Sequence, residues 1–373
     1  MAPSTATPMA TSRPDPESDA PPAWAPRRRI EVGILGATGT VGQRFVELLD
    51  RHPWFELAWL GASDRSAGRR YGEACSWQLA GAPPPEAAGR VVEECVPGRA
   101  PRLVFSSMSS EQAGEIEAAF ARAGHLVVSN SSHFRMEPDV PLLVPEINLP
   151  HLGLLAAQRR ARGWEGAVVT NPNCAAMVLV MALAPLRRFG LKRVVATTFQ
   201  AVSGAGYPGV PALDILGNVV PWIRGEEEKL EREPQKILGE LAGAEVRPLP
   251  FVLSAACNRV PAIDGHLVTA SLELEDPPAL AALAAALREF SGPPQERRLP
   301  SAPRRPIHLM TEPDRPQTRK DAGLEGGMAT AVGRLRPCPV LHYRLVALSH
   351  NVLRGAAGAA LLNAELMVSE GLV

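Results

Sequence analysis

A strand that runs directly into three evenly spaced glycines and out into a helix leaves a chain little choice of fold. Ile30 to Leu35 (IEVGIL) is a short apolar run with a β-branched bias and reads as a strand. Gly36, Gly39 and Gly42 follow at once with the spacing GxxGxxG, and from Val41 to Asp50 apolar residues recur at helical intervals. Glycines in such a loop allow a tight turn and a close backbone approach. The helix behind them aims its free N–H groups at a pyrophosphate. A strand before and a helix after is the context that a dinucleotide site requires. Further strands are expected at 55–60, 102–106 and 125–129, with a helix over 111–124 that ends in glycine. The alternation predicts an α/β fold: a parallel sheet covered by helices.

At 373 residues the chain exceeds one ordinary domain. Residues 1–28 are rich in Pro, Ala, Ser and Thr without an apolar period, and are expected to be a disordered tail. The tail lacks the apolar core of a secretory signal, and its acidic residues do not suit a transit peptide. After Asn171 the texture changes. A helix is expected over 174–189, then longer strand-like runs at 192–201, 251–258, 267–274 and 329–336. These predict a mixed or antiparallel sheet in a second domain. An Ala/Leu-rich helix is expected over 276–290, a proline-rich surface crossing over 293–319, and an amphipathic closing helix over 351–368.

Lys plus Arg and Asp plus Glu number 39 each, so the net charge is zero. Binding nucleic acid by bulk attraction needs a basic surface, and none is expected here. No apolar stretch approaches the ~18 residues of a membrane span. The five cysteines, Cys75, Cys95, Cys174, Cys257 and Cys338, are scattered and form no CxxC pair. Neither a disulfide framework nor a metal site is expected, and a reducing cytoplasm is the natural compartment.

In such a compartment a cysteine is either buried filler or a nucleophile. Cys174 stands in TNPNCAAM (170–177), where a strand ends and a helix begins. Asn and Pro are helix-entry residues, so the thiol falls in the first turn, where the macrodipole and free N–H groups favour a thiolate. A thiolate nucleophile needs a partner that handles protons. His266, at the edge of an Asp264-Gly265 turn, is expected to be accessible to substrate. Arg259, seven residues upstream, has the planar fork that grips a carboxylate. At the end of the second strand, Ser63, Arg65 and Ser66 suit a 2′-phosphate and point to NADP, while Asp64 is the feature that would instead serve NAD.

With these residues in hand the chain closely resembles the aspartate-semialdehyde dehydrogenases, above all their archaeal and fungal branch. The matching stretches include GATGTVGQRF (36–45), SDRSAG (63–68), SNSSHFRMEPDVPLLVPEIN (129–148), TNPNCAAM (170–177), QAVSGAGYPG (200–209), CNRVPAIDGH (257–266) and HNVLRGAAGAALLNAE (350–365). The family is similar in architecture to glyceraldehyde-3-phosphate dehydrogenase. That implies an NADP-binding Rossmann domain over 29–170, completed by a C-terminal helix within 351–373, and an α+β catalytic and dimerisation domain over 171–350. The resemblance implies Cys174 as acyl-thioester nucleophile, His266 as general acid/base, Gln200 as a substrate-positioning residue and Arg259 on the α-carboxylate. It also implies Glu233 on the substrate ammonium, with Lys236 and Arg135 on the phosphate. The run Glu226-Glu227-Glu228-Lys229 offers a rival ammonium site; Glu233 is preferred because its three-residue spacing to Lys236 gives one helix face. Thr38, Gly39, Thr40, Val41, Ser63, Arg65, Ser66, Ser203, Gly204 and Asn351 are implied to contact the cofactor. The implied reaction is the reversible, NADPH-dependent reduction of 4-phospho-L-aspartate to L-aspartate 4-semialdehyde with release of phosphate, by a homodimer or homotetramer. It serves biosynthesis of lysine, diaminopimelate, threonine, methionine and isoleucine. A malonyl-CoA or succinyl-CoA reductase on the same scaffold, and a catalytically silent dinucleotide sensor, are the competing readings.

Overall fold

A computed structural model describes Pro22 and residues 24–373; most of the expected tail, 1–21 and 23, lies outside the described residues. Two six-stranded sheets carry the architecture. The first is wholly parallel, in the order β3-β2-β1-β4-β5-β6. Its strands are β1 Ile30–Leu35, β2 Phe55–Ala62, β3 Glu93–Glu94, β4 Leu103–Ser106, β5 Leu126–Ser129 and β6 Ala167–Thr170. Strands β4, β5 and β6 are buried along their whole length, as expected of a parallel sheet covered on both faces. The strand order reverses direction at β1 and β4, so their carboxyl ends open a crevice at a topological switch point.

Residues 240–247 form a two-stranded hairpin, β8 (Glu240–Ala242) and β9 (Glu245–Arg247). The second sheet has the order β10-β7-β11-β14-β13-β12 and mixes parallel with antiparallel pairs. It comprises β7 Leu191–Gln200, β10 Val252–Arg259, β11 His266–Leu274, β12 Ile307–Leu309, β13 Thr330–Pro337 and β14 Tyr343–Ser349. The register sets up a site. Gln200 and Arg259, the last residues of two parallel neighbours, are direct partners, while His266 opens β11 beside them.

The Cys174–Leu183 helix is buried at every position from Ala175 to Leu183. It is apolar all round, which is the pattern of a helix enclosed on all faces. It packs with β11, β13 and β14 in the core of the second unit.

The closing segment departs from expectation. It is not one amphipathic helix but a π turn, Leu353–Ala357, running into a helix, Gly358–Ser369, buried from Gly358 to Val368. Its glycines and alanines let it lie inside the core of the parallel-sheet unit, so no solvent face exists for a polar stripe to cover. Among the described residues no helix is long and apolar enough to cross a membrane, and all five cysteines are free.

Candidate active site

The crevice at the switch point opens into a cleft of about 710 Å³ between the glycine loop and the ends of β7 and β10. Gly36 has φ +79°, which favours glycine, and a side chain at Gly42 would collide with the carbonyl oxygens of Gly36 and Ala37. Gly39 precedes the Thr40–Leu49 helix without a side-chain cap. Thr38, Gly39, Thr40 and Val41 line the cleft, so the first-turn N–H groups are left for an anion. Across the cleft, the 3₁₀ turn Val202–Ala205 leads to Tyr207, whose N–H donates to Thr40 Oγ1 at 3.1 Å. Ser203, Gly204 and Asn351 also face this space. Asn351 bridges two segments: its Oδ1 accepts from Gly265 N at 2.8 Å and its Nδ2 donates to Ser203 Oγ at 2.8 Å. Ser63, Arg65 and Ser66 lie just past β2, outside the residues that line the cleft; Ser63 and Arg65 are exposed and Ser66 is buried.

Cys174 sits at the far end, in the first turn of its helix, half-buried on the cleft wall. The thiolate expected there is not what the surroundings favour. The N–H groups that should help it are shared with the cap: Asn173 Oδ1 accepts from Ala175 N at 2.9 Å and Ala176 N at 3.1 Å, and the Ala175 N–H lowers the thiol only as a minor contribution. Burial, and then the facing Glu226 carboxylate, push the thiol up to about 12, against the pull of Arg135 and Arg259.

His266 also differs from its expectation. It is fully buried, and a side chain on Gly204 would lie 3.0 Å from its Nε2, so the 203–204 backbone stands between it and the cleft. Its Nδ1 accepts the Ala201 N–H at 3.1 Å, which assigns the proton of the neutral ring to Nε2. That Nε2 has no partner among the described residues. Burial, and next the Arg259 charge, push His266 down to about 3. Arg259 lines the cleft and donates from Nη1 to Ala201 O at 2.8 Å, with no other guanidinium bond among the described residues.

The Glu226–Ile237 helix reaches the cleft at one end only. Glu226 and Lys229 line the cleft. The Glu226 carboxylate accepts from Asn173 Nδ2 at 2.8 Å, Lys229 Nζ at 3.0 Å and Gln200 Nε2 at 3.3 Å. Burial pushes its pKa up, but Lys229 and these donors outweigh that and hold it below the ordinary carboxylate value. Glu233 and Lys236 do not reach the cleft. Both Glu233 oxygens are occupied: Oε1 accepts from Arg135 Nη1 at 3.1 Å and Oε2 accepts from Asn173 N at 2.5 Å. Lys236 Nζ donates to the carbonyl oxygens of Arg135, Glu137 and Val140, at 2.7, 2.7 and 2.8 Å. An ammonium has three protons, so none remains for a phosphate. The expectation for these two is therefore corrected: they tie down the loop that carries Arg135. Arg135 itself does line the cleft. Lys229, and the weight given to Glu226, are what the sequence reading missed. The signal was present, since Glu226 opens a helix after Gly225 and has the same three-residue spacing to a lysine.

Comparison with known proteins identifies the family. Residues 31–154 match the family model described as semialdehyde dehydrogenase, NAD binding domain, and residues 183–354 match semialdehyde dehydrogenase, dimerisation domain. An aspartate-semialdehyde dehydrogenase of Methanothermobacter thermautotrophicus is 47% identical over 343 residues, covering 91% of this chain and 99% of that protein. One from Cryptococcus neoformans is 45% identical over 363 residues, covering 94% and 100%. A crystal structure of aspartate semialdehyde dehydrogenase with NADP from Candida albicans superposes with a TM-score of 0.86 at 40% identity, covering 93% of this chain and 100% of that one.

Proposed function

The chain belongs to the aspartate-semialdehyde dehydrogenase family, and we propose that it interconverts 4-phospho-L-aspartate and L-aspartate 4-semialdehyde with NADPH through a thioester on Cys174. The observation that carries this is the half-buried thiol on one cleft wall with a carboxylate, a guanidinium and a lysine beside it. These recognise a small zwitterion with a phosphate, rather than the large neutral arm of a CoA thioester.

The substrate ammonium lies on Glu226, its α-carboxylate on Arg259, and its phosphate between Arg135 and Lys229. Pairing the ammonium with Glu226 offsets the negative charge that faces the thiol. The thiolate then attacks the acyl carbon, the C–O bond to phosphate breaks, and inorganic phosphate leaves. Gln200, bonded to Glu226, keeps the carboxylate aimed. NADP, held by Thr38 to Val41, the glycine loop, Ser203, Gly204 and Asn351, with Ser63, Arg65 and Ser66 toward the 2′-phosphate, supplies the hydride acceptor or donor. His266 acts as general acid/base once the 203–204 backbone that covers it moves aside: its Nε2–H then donates a hydrogen bond to the oxyanion at the former acyl carbon. General acid/base help of this kind contributes typically about 10²–10⁴-fold.

The dinucleotide unit is taken as 29–170 with the C-terminal helix, and the catalytic unit as 171–350. The chain assembles as a homodimer or homotetramer through the second unit. Two features support this: the dimerisation-domain match, and exposed apolar side chains at Tyr207, Leu213, Leu216 and Trp222. Five free cysteines suit a cytoplasmic setting. The test is an assay of phosphate-dependent NADPH formation from L-aspartate 4-semialdehyde, run beside malonyl-CoA and succinyl-CoA reduction. Turnover of the semialdehyde, abolished by Cys174→Ser, is expected. Turnover of a CoA thioester alone would replace the reading.

A further inference from the structure

Arg354 heads the largest fully buried side chains of the described residues, and nothing in the chemistry above uses it. Its Nη2 donates to Glu146 Oε2 at 2.7 Å and to the Met181 thioether at 3.0 Å, and both members of the ion pair are 0% exposed. The Nε and Nη1 of the guanidinium have no partner among the described residues. Taking two ions out of water is costly, and apolar residues often pack as well or better. A buried pair with two unmet N–H groups therefore calls for a use other than stability.

Its position supplies one. Arg354 lies in the π turn Leu353–Ala357, where Gly355 N donates to His350 O at 3.0 Å and Ala357 N donates to Val352 O at 2.9 Å. Such turns are rare and concentrate at functional sites. This one presses backbone against the thiol-bearing residue: a side chain on Gly355 would lie 2.8 Å from Cys174 Cβ and 3.2 Å from its Cα. The adjoining Ala356 O accepts from Asn171 Nδ2 at 2.9 Å, just ahead of Cys174. Met181, at the end of the Arg354 reach, is seven residues beyond Cys174 and so on the same face of its helix. The guanidinium braces that face, and Glu146, in the 129–148 stretch singled out in the sequence, fixes the guanidinium.

We propose that the Arg354–Glu146 pair is a positioning device for the reacting thiol: it holds the π turn against the Cys174 helix and so sets where Sγ stands in the cleft. This rests on Cys174 being the nucleophile. The variant to make is Arg354→Met together with Glu146→Leu, which removes both charges and strands neither. It should fold, with a melting temperature equal to or above that of the parent. Michaelis constants for semialdehyde and NADP should stay within about twofold, kcat should fall about 10–100-fold, and Cys174 alkylation by iodoacetamide should change at least about threefold. A folded double variant with both kcat and alkylation within about twofold of the parent would overturn the proposal. If the double variant does not fold, the isosteric Glu146→Gln is judged by the same two rates. Alkylation needs no substrate, so it separates the two ideas. A parent without turnover but with an altered alkylation rate in the variant would remove the assigned reaction and leave the positioning intact.

Discussion

Two stretches of one helix carry the same pattern, a glutamate followed three residues later by a lysine, and the fold puts them to opposite uses. Glu226 and Lys229, in the first turns of Glu226–Ile237, line the cleft. Glu233 and Lys236, near its end, are buried and fully bonded to Arg135, the Asn173 N–H and three carbonyl oxygens. Seven residues apart, the two pairs share a helix face. What separates them is depth along the axis: one end meets the open cleft, the other meets the 135–140 loop. Spacing along a helix therefore tells which residues point together and not what waits opposite them.

The division can be broken from the scaffold end first. Glu233→Gln leaves the buried Arg135 charge without its partner, so unfolding free energy should drop by about 3–5 kcal/mol. Denaturant melts check it; a variant of parental stability that nonetheless loses turnover would reverse the roles of the two glutamates. At the cleft end, Glu226→Gln should cut kcat/KM for the semialdehyde by about 10²-fold, the value of a lost charged contact of about 3 kcal/mol, with the melt unchanged. The same variant should label faster with iodoacetamide at neutral pH, because the like charge facing the thiol is gone. Glu233 does not line the cleft and acts on the thiol only through Arg135 and Asn173, so Glu233→Gln should change labelling less than Glu226→Gln.

The pH profile sharpens the contrast further. With the thiol pushed up to about 12, labelling of Cys174 in the substrate-free protein should rise about tenfold per pH unit from neutrality through the alkaline range. A plateau near the ordinary thiol value, about 8.5, would show that Glu226 and burial do not act as described. The smallest effect belongs to Lys229→Met. It should raise the Michaelis constant for phosphate about fivefold, a loss of about 1 kcal/mol for a half-exposed charge, and leave that for NADP unchanged.

Legibility followed the range of the interactions. The strand, glycine loop and helix at residues 30–49 are set by neighbours in sequence, and the structure has them within a residue or two of the expected bounds. The start of the Cys174 helix was readable for the same reason, since Asn173 is its cap. The state of the thiol was not. The helix terminus argues for a thiolate, but burial and a glutamate 52 residues away in sequence oppose ionisation and outweigh the Ala175 N–H. His266 reads as a turn residue open to solvent and is in fact covered by the 203–204 backbone, a contact no local pattern encodes. The buried Arg354–Glu146 pair spans 208 positions, and only the folded chain brings it together. The closing helix reads as amphipathic because Leu361, Leu362, Leu366 and Met367 cluster, yet burial on every side follows from what packs around it.

The most direct test of the account looks for the covalent intermediate. The protein is incubated with L-aspartate 4-semialdehyde and NADP without phosphate, quenched in acid, digested and analysed by mass spectrometry. An aspartyl group on the peptide bearing Cys174, discharged when phosphate is added before the quench, is the predicted result. NADPH formation with an unmodified Cys174 peptide, or with the adduct on Cys257 or any other residue, would contradict it.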